Sequence, residues 1–353
     1  MMKKIVRHLN LINTNIRRRI PMKRNIALFF IALVSPLMTV QPAFAQEYNV
    51  QDISQKIEKI SQGLVGRIGV AAQEIGSEES ITVNGDETFV MASTYKVAVA
   101  VTALRQVDQG KLKLTDLIDC PVEKMVPGPN PLVMNFLHPG IKLSVANLIE
   151  PMIVESDNSA TDYLLEAVGG PAAVTKMLRD IGITDFRVDR SVSEILRDFY
   201  GLEDRAYVPF TTVAYAKDPT LITRQSDRNL NYEKDPRDQT TPKAMLQLLL
   251  AIDNGKALSE SSREFLLGVM SRNRTGGSRI RALLPKGTPV ADKTGTLGGV
   301  ANDVGYVTLP DGRRFAIAVF TKSSTTPDAD RSRAVAEVSR TLFDFYYLTS
   351  QSK

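Results

Sequence analysis

Four stretches of this chain carry residues that could do covalent chemistry. Ser93-Thr94-Tyr95-Lys96 sets a hydroxyl and an amine three residues apart, which on a helix puts both on one face. A serine hydroxyl is a poor nucleophile until a base takes its proton, and a lysine desolvated among apolar groups or other cations can become that base. The opening of a helix also offers backbone N–H groups to a developing oxyanion. Alone the pattern is weak, since about one S-x-x-K arises by chance in such a chain, and a second stands at the terminus as Ser350-Gln351-Ser352-Lys353. Ser156-Asp157-Asn158 follows an apolar helical run ending near Glu155, and Lys293-Thr294-Gly295 closes a strand. Each tripeptide is expected in only a few per cent of chains of this length, so the ordered set is far more specific than its members.

The scarcity of histidine narrows the chemistry further. His8 and His138 are the only two, and His138 lies in the turn-like Leu137-His138-Pro139-Gly140, so neither a multi-imidazole zinc site nor a Ser-His-Asp triad is expected. No metal, nucleotide or flavin site is visible, and no cofactor is expected. Cys120 is the single cysteine, read as a buried thiol.

The elements that must position these residues follow from periodicity. Short strands are expected at 66–72 and 81–83, then a helix from near Ser93 that buries Val97, Val101 and Leu104. Further helices are expected over 143–155, 161–168, 171–181 and 241–252, and strands over 290–293, 300–309 and 313–320 with a turn at Pro310-Asp311-Gly312. A closing helix spans 328–348. The segment 199–238 loses its period and reads as a long surface loop. Strands from both ends flanking a helical middle imply an α/β (α+β) fold, an antiparallel sheet flanked by helices with an inserted all-helical lobe. The α/β lobe would comprise about 46–92 and 283–353, the helical lobe about 93–282, with a cleft between them for substrate.

Of the 353 residues, 43% are hydrophobic and 24% charged, as in an ordinary globular chain. The first 45 residues differ: Lys23 and Arg24 precede an apolar run from Ile26 to Leu37, and Ala43-Phe44-Ala45 supplies a small-x-small pattern. That run is about a dozen residues against the 20 a spanning helix needs, so residues 1–45 read as a leader, starting at Met22 and cleaved after Ala45, and the chain as exported to the periplasm or secreted. The leader holds eight Lys/Arg and no Asp/Glu, so the formal +5 becomes about −3 for residues 46–353, and no nucleic-acid partner is implied. No stable membrane span is expected in the mature chain, which is read as a monomer.

In the order S-x-x-K, S-D-N and K-T-G, the three patterns resemble the signatures of class A serine β-lactamases within the penicillin-binding protein and serine β-lactamase superfamily. The likeness covers essentially the whole mature chain. The leader, the mature length and Thr240-Thr241-Pro242 look most like class A. It implies a β-lactamase/transpeptidase-like fold and hydrolysis of β-lactam antibiotics through an acyl-enzyme on Ser93. Lys96 would accept or relay the proton, Ser156 would protonate the leaving nitrogen, and Lys293 would attract the substrate carboxylate. Thr294 and Gly295 would complete the substrate-binding strand. The backbone N–H groups of Ser93 and Thr296 would form the oxyanion hole. Asn158 would bind the substrate's side-chain amide, and Asp157 would hold its loop. Arg279 resembles an accessory carboxylate-binding arginine, an exposed helix face being the alternative.

The resemblance breaks at the step that empties the acyl-enzyme. Aligned on Asp189-Arg190, the glutamate that activates water falls on Val192, which cannot accept a proton. Glu194 substitutes through a shifted backbone, another carboxylate such as Asp198 serves, or deacylation is impaired. Arg190 and Asp238 resemble the family's ion pair across the neck of this loop, and Ala92 replaces a cysteine that many members also lack. Beside hydrolysis stand two alternatives: a D,D-peptidase, or a penicillin-binding protein that acylates and deacylates slowly.

Overall fold

In the computed structural model Glu47–Lys353 forms one compact unit. The structure describes residues 49–126, 131–136, 138–201 and 227–349, so the expected leader and most of the long loop lie outside the described residues.

Helix α1 (Val50–Gln62) opens the described chain, its first turn capped by the Asn49 side chain accepting from Asp52 N at 2.9 Å. The sequence reading did not anticipate it. Strands β1 (Arg67–Glu74) and β2 (Ser80–Val83) follow, and β7 (Val290–Leu297), β8 (Val300–Thr308) and β9 (Arg314–Lys322) come from the far end of the chain. They form one antiparallel sheet in the order β2-β1-β9-β8-β7. Its residues alternate between two cores, as the two-residue period of a strand requires. Ile68, Val70, Ile317 and Val319 pack with Ile53 and Ile57 of α1 and with Val335, Val338 and Leu342 of the closing helix α11 (Asp328–Thr349). Ala71, Ala316, Ala318 and Phe320 face the other way into the larger helical core.

That core is organised around α2 (Lys96–Asp108), whose residues 96–104 are all buried, with α4 (Val145–Val154), α5 (Asn158–Ala167), α6 (Gly170–Asp180), α9 (Pro242–Asp253) and α10 (Glu260–Ser271) packed about it. Two small antiparallel pairs lie outside the main sheet: β3 (Phe89–Val90) with β6 (Gln239–Thr240), and β4 (Leu117–Asp119) with β5 (Lys142–Ser144). A short helix α3 (Pro131–Asn135) precedes β5. Helix α4 starts at Val145 because β5 takes the preceding residues and the Ser144 hydroxyl caps Asn147 N. Helix α7 (Val192–Tyr200) leads into the segment expected as a long loop, and α8 (Leu230–Glu233) stands in the described part of its return.

Candidate active site

Ser93 lies in a 3₁₀ turn, Ala92–Tyr95, that runs directly into α2. Ala92 is held at φ +47°, a left-handed conformation costly for a residue with a Cβ. Buried contacts impose it. Thr94 N and Oγ1 both donate to Met91 O (3.2 and 2.8 Å), and Asn302 Nδ2 donates to the carbonyls of Val90 (2.8 Å) and Met91 (3.1 Å). Asn302 Oδ1 in turn accepts from Thr321 N, so one buried amide ties the turn to β8 and β9.

Lys96 and Lys293 are each fully buried, and both amines donate to the Ser156 hydroxyl, at 3.3 and 2.9 Å. Lys96 Nζ is also held by Ser156 O and Asn158 Oδ1, both at 2.7 Å, and Lys293 Nζ by Thr294 O at 2.8 Å. Burial brings Lys96 down to about 7, although the carboxylates of Asp157 and Asp162 pull the other way. Burial also pushes Lys293 well below an ordinary lysine, with the Lys96 charge adding to the effect. Two ammonium groups around one hydroxyl repel, so the arrangement favours one neutral amine and one cation.

Ser156 itself sits at φ +59°, between the end of α4 and the start of α5. Asp157 spends its carboxylate on structure: Oδ1 caps Ala160 N at 2.8 Å and Oδ2 accepts from Leu132 N at 2.9 Å. Gly295 is required by close approach, because a Cβ there would stand 2.5 Å from Met91 O and 3.0 Å from Thr94 N. Thr294 Oγ1 pairs with Thr275 Oγ1, and Thr296 lies exposed beyond the glycine.

Arg279 is 5% exposed, which replaces the solvent-facing alternative with an interior role. Its guanidinium donates to Gly295 O (3.0 Å), Asn302 O (2.8 Å) and Thr296 Oγ1 (2.7 Å), bracing the strand opposite Ser93. Burial lowers its affinity for a proton, with Asp303 acting against that.

Below the nucleophile, the Arg190–Asp238 pair forms at 2.5 Å and is buried, with Asp198 and the Tyr232 hydroxyl as further partners of Arg190. Val192 is buried at the start of α7. Glu194 turns back on its own helix: its Oε2 accepts from Ser191 N (2.8 Å) and Oγ (2.9 Å), completing a capping box. Asp198 is engaged by Arg190 and Arg237. Thus the structure gathers the Lys96 and Lys293 amines on the Ser156 hydroxyl, with Asn158 holding Lys96, while Glu194 bonds within its own helix start.

Sequence reasoning missed Asn302 and Asp162. Asn302 pairs with Gly295 across β7 and β8, a register that sequence does not reveal. Asp162 had a usable signal, since it follows Asn158 by four residues and so shares its helix face. Its Oδ1 accepts from Val192 N at 2.7 Å and its Oδ2 from Ser193 N at 3.0 Å.

Residues 52–346 match the model of the beta-lactamase enzyme family. The carbapenem-hydrolyzing beta-lactamase KPC of Klebsiella oxytoca is 31% identical over 297 residues, 82% of this chain and 87% of that protein. The extended-spectrum beta-lactamase PER-1 of Pseudomonas aeruginosa is 28% identical over 300 residues, covering 83% and 87%. The solved structure of an ancestral class A beta-lactamase superposes with a TM-score of 0.68 at 34% identity, covering 83% of this chain and 99% of that one. The chain belongs to the beta-lactamase enzyme family and has the class A fold.

Proposed function

We propose that this chain hydrolyses β-lactams through an acyl-enzyme on Ser93, and that the observation carrying the reading is the Ser156 hydroxyl shared by the Lys96 and Lys293 amines at 3.3 and 2.9 Å. Lys96, near 7, is neutral in a large fraction of molecules at neutral pH and takes the Ser93 proton as Oγ attacks the lactam carbonyl. The oxyanion is received by the backbone N–H groups of Ser93 and Thr296. As the C–N bond breaks, Ser156 gives its proton to the departing nitrogen and is re-protonated from the amines around it. Lys293 and the Thr296 hydroxyl, the latter set by Arg279, meet the substrate carboxylate. Asn158 receives the amide of the substrate side chain, and Thr294 and Gly295 let the strand lie close to the Ser93 turn.

The leader pattern of residues 1–45 supports export to the periplasm or medium, with Met22 as start and cleavage after Ala45. No described helix is long and apolar enough to cross a membrane. All the proposed groups come from one chain, so a monomer suffices. A second reading, acylation without efficient release, is favoured by Val192 and by the use of Glu194 as a cap. Purified protein is expected to turn over a chromogenic cephalosporin many times per Ser93, whereas a single stoichiometric burst would favour that second reading.

A further inference from the structure

We propose that Asp162 is the carboxylate that deprotonates the water which empties the acyl-enzyme on Ser93, an inference that rests on the hydrolytic reading above. The family resemblance puts the water-activating glutamate at position 192, where this chain has valine. A carboxylate nevertheless stands against the backbone of that position, delivered from α5 instead of from the loop: Val192 N donates to Asp162 Oδ1 at 2.7 Å. On the α5 side, Asp162 lies one helical turn beyond Asn158, whose Oδ1 holds Lys96 Nζ at 2.7 Å. Its charge acts on Lys96.

Two further observations point to water there. The Tyr95 hydroxyl is fully buried with no hydrogen-bond partner among the described residues, and Asp162 is the charge that acts on it most strongly. A buried unpaired hydroxyl costs about 1–3 kcal/mol, a cost that a bridging water removes. In addition, a cavity of about 520 Å³ opens onto Asp162, Ser191 and Ser193, giving water a way in. The carboxylate has about four acceptor positions; the two α7 N–H groups and the Ser193 hydroxyl take three of them, leaving one for water. Burial raises it to about 6, against the pull of the Ser193 and Val192 N–H groups, so at neutral pH it is mostly ionised yet more basic than an ordinary aspartate. The other nearby carboxylates are committed: Asp157 to Ala160 and Leu132, Glu194 to Ser191, and Asp198 to two arginines.

In the step itself, the water oxygen forms a bond to the ester carbonyl carbon while its proton passes to Asp162. The tetrahedral intermediate then collapses, the bond from that carbon to Ser93 Oγ breaks, and Oγ takes a proton from the Lys96 ammonium. Asp162 returns its proton to Lys96, and the product leaves as a carboxylic acid whose remaining proton passes to solvent.

The test combines stopped-flow hydrolysis of a chromogenic cephalosporin with intact-protein mass spectrometry, on the full chain. Asp162→Asn keeps the shape and one acceptor oxygen for α7. It is expected to acylate in a burst of one equivalent, retain the adduct on Ser93, and turn over at least about 100-fold more slowly. Adding Val192→Glu to Asp162→Asn is expected to recover at least about tenfold, because a carboxylate returns to the same place from the loop. Tyr95→Phe removes only an unpaired hydroxyl, so it folds, and should slow deacylation severalfold with an unchanged burst. Wild-type turnover in folded Asp162→Asn, a double variant no faster than the single one, or unaltered deacylation in Tyr95→Phe would overturn the proposal. Wild-type protein showing neither burst nor turnover would instead remove the hydrolytic reading on which it rests.

Discussion

Lys96 opens α2, Ser93 lies in the turn that leads into it, Ser156 stands before α5 and Lys293 lies within β7, so all four are mounted on or beside rigid elements. The floor beneath them is assembled differently, from α7, a neck of charges around Arg190, and carboxylates whose other duties are structural. The acylating side therefore depends on side-chain identity at four positions. The deacylating side depends on which of several carboxylates the loop leaves available. On the proposed reading, the first half-reaction rests on short motifs and the second on loop packing.

Breaking the comparison from the acylating side should give the largest effect. Ser156→Ala removes the proton donor to the leaving nitrogen and is expected to slow acylation by roughly 100-fold to 10,000-fold in single-turnover kinetics, with any adduct formed deacylating at the wild-type rate. Next comes the neck of the floor. Asp238→Ala leaves the buried Arg190 without its closest partner, so a loss of about 3–5 kcal/mol is expected in denaturant unfolding. The loss should fall on loop order and deacylation more than on the burst.

The pH dependence sharpens the same distinction. Lys96 must be neutral to accept the Ser93 proton, and burial holds it at about 7. The acylation rate should therefore be level above that pH and fall about tenfold per unit below it. A burst rate unchanged between pH 5 and 8 would remove Lys96 as base. The smallest effect is expected at Glu194. Glu194→Gln keeps an acceptor for Ser191 N and should cost under about 1 kcal/mol in thermal melts, with turnover unchanged. A trapped adduct in that variant would return the water to Glu194.

The same division governed what could be read from the chain. Ser93, Lys96, Ser156 and Lys293 stand out as candidates because the proposed chemistry needs those residue types, and the strands of the sheet are legible because their apolar residues are bounded by turn-formers. Helix α7 is not anticipated from the sequence, although Ser191 followed by Glu194 is a helix-start signature, because Glu194 is read there only as a candidate catalytic carboxylate. Asp162 and Asn302 bond to backbone groups of remote segments, Val192 and Ser193 for one, Val90, Met91 and Thr321 for the other. Pairings of that kind exist only once the register of the fold is known. Arg279 was placed near the right strand, but its burial behind Gly295 and Thr296 follows from packing that no local pattern records.

Peptide mapping after a brief exposure to a β-lactam tests Ser93 as the nucleophile most directly. The mass of one opened β-lactam should appear on the peptide containing Ser93 and be absent, together with turnover, from Ser93→Ala. An adduct on any other serine, or turnover that survives in Ser93→Ala, would contradict it.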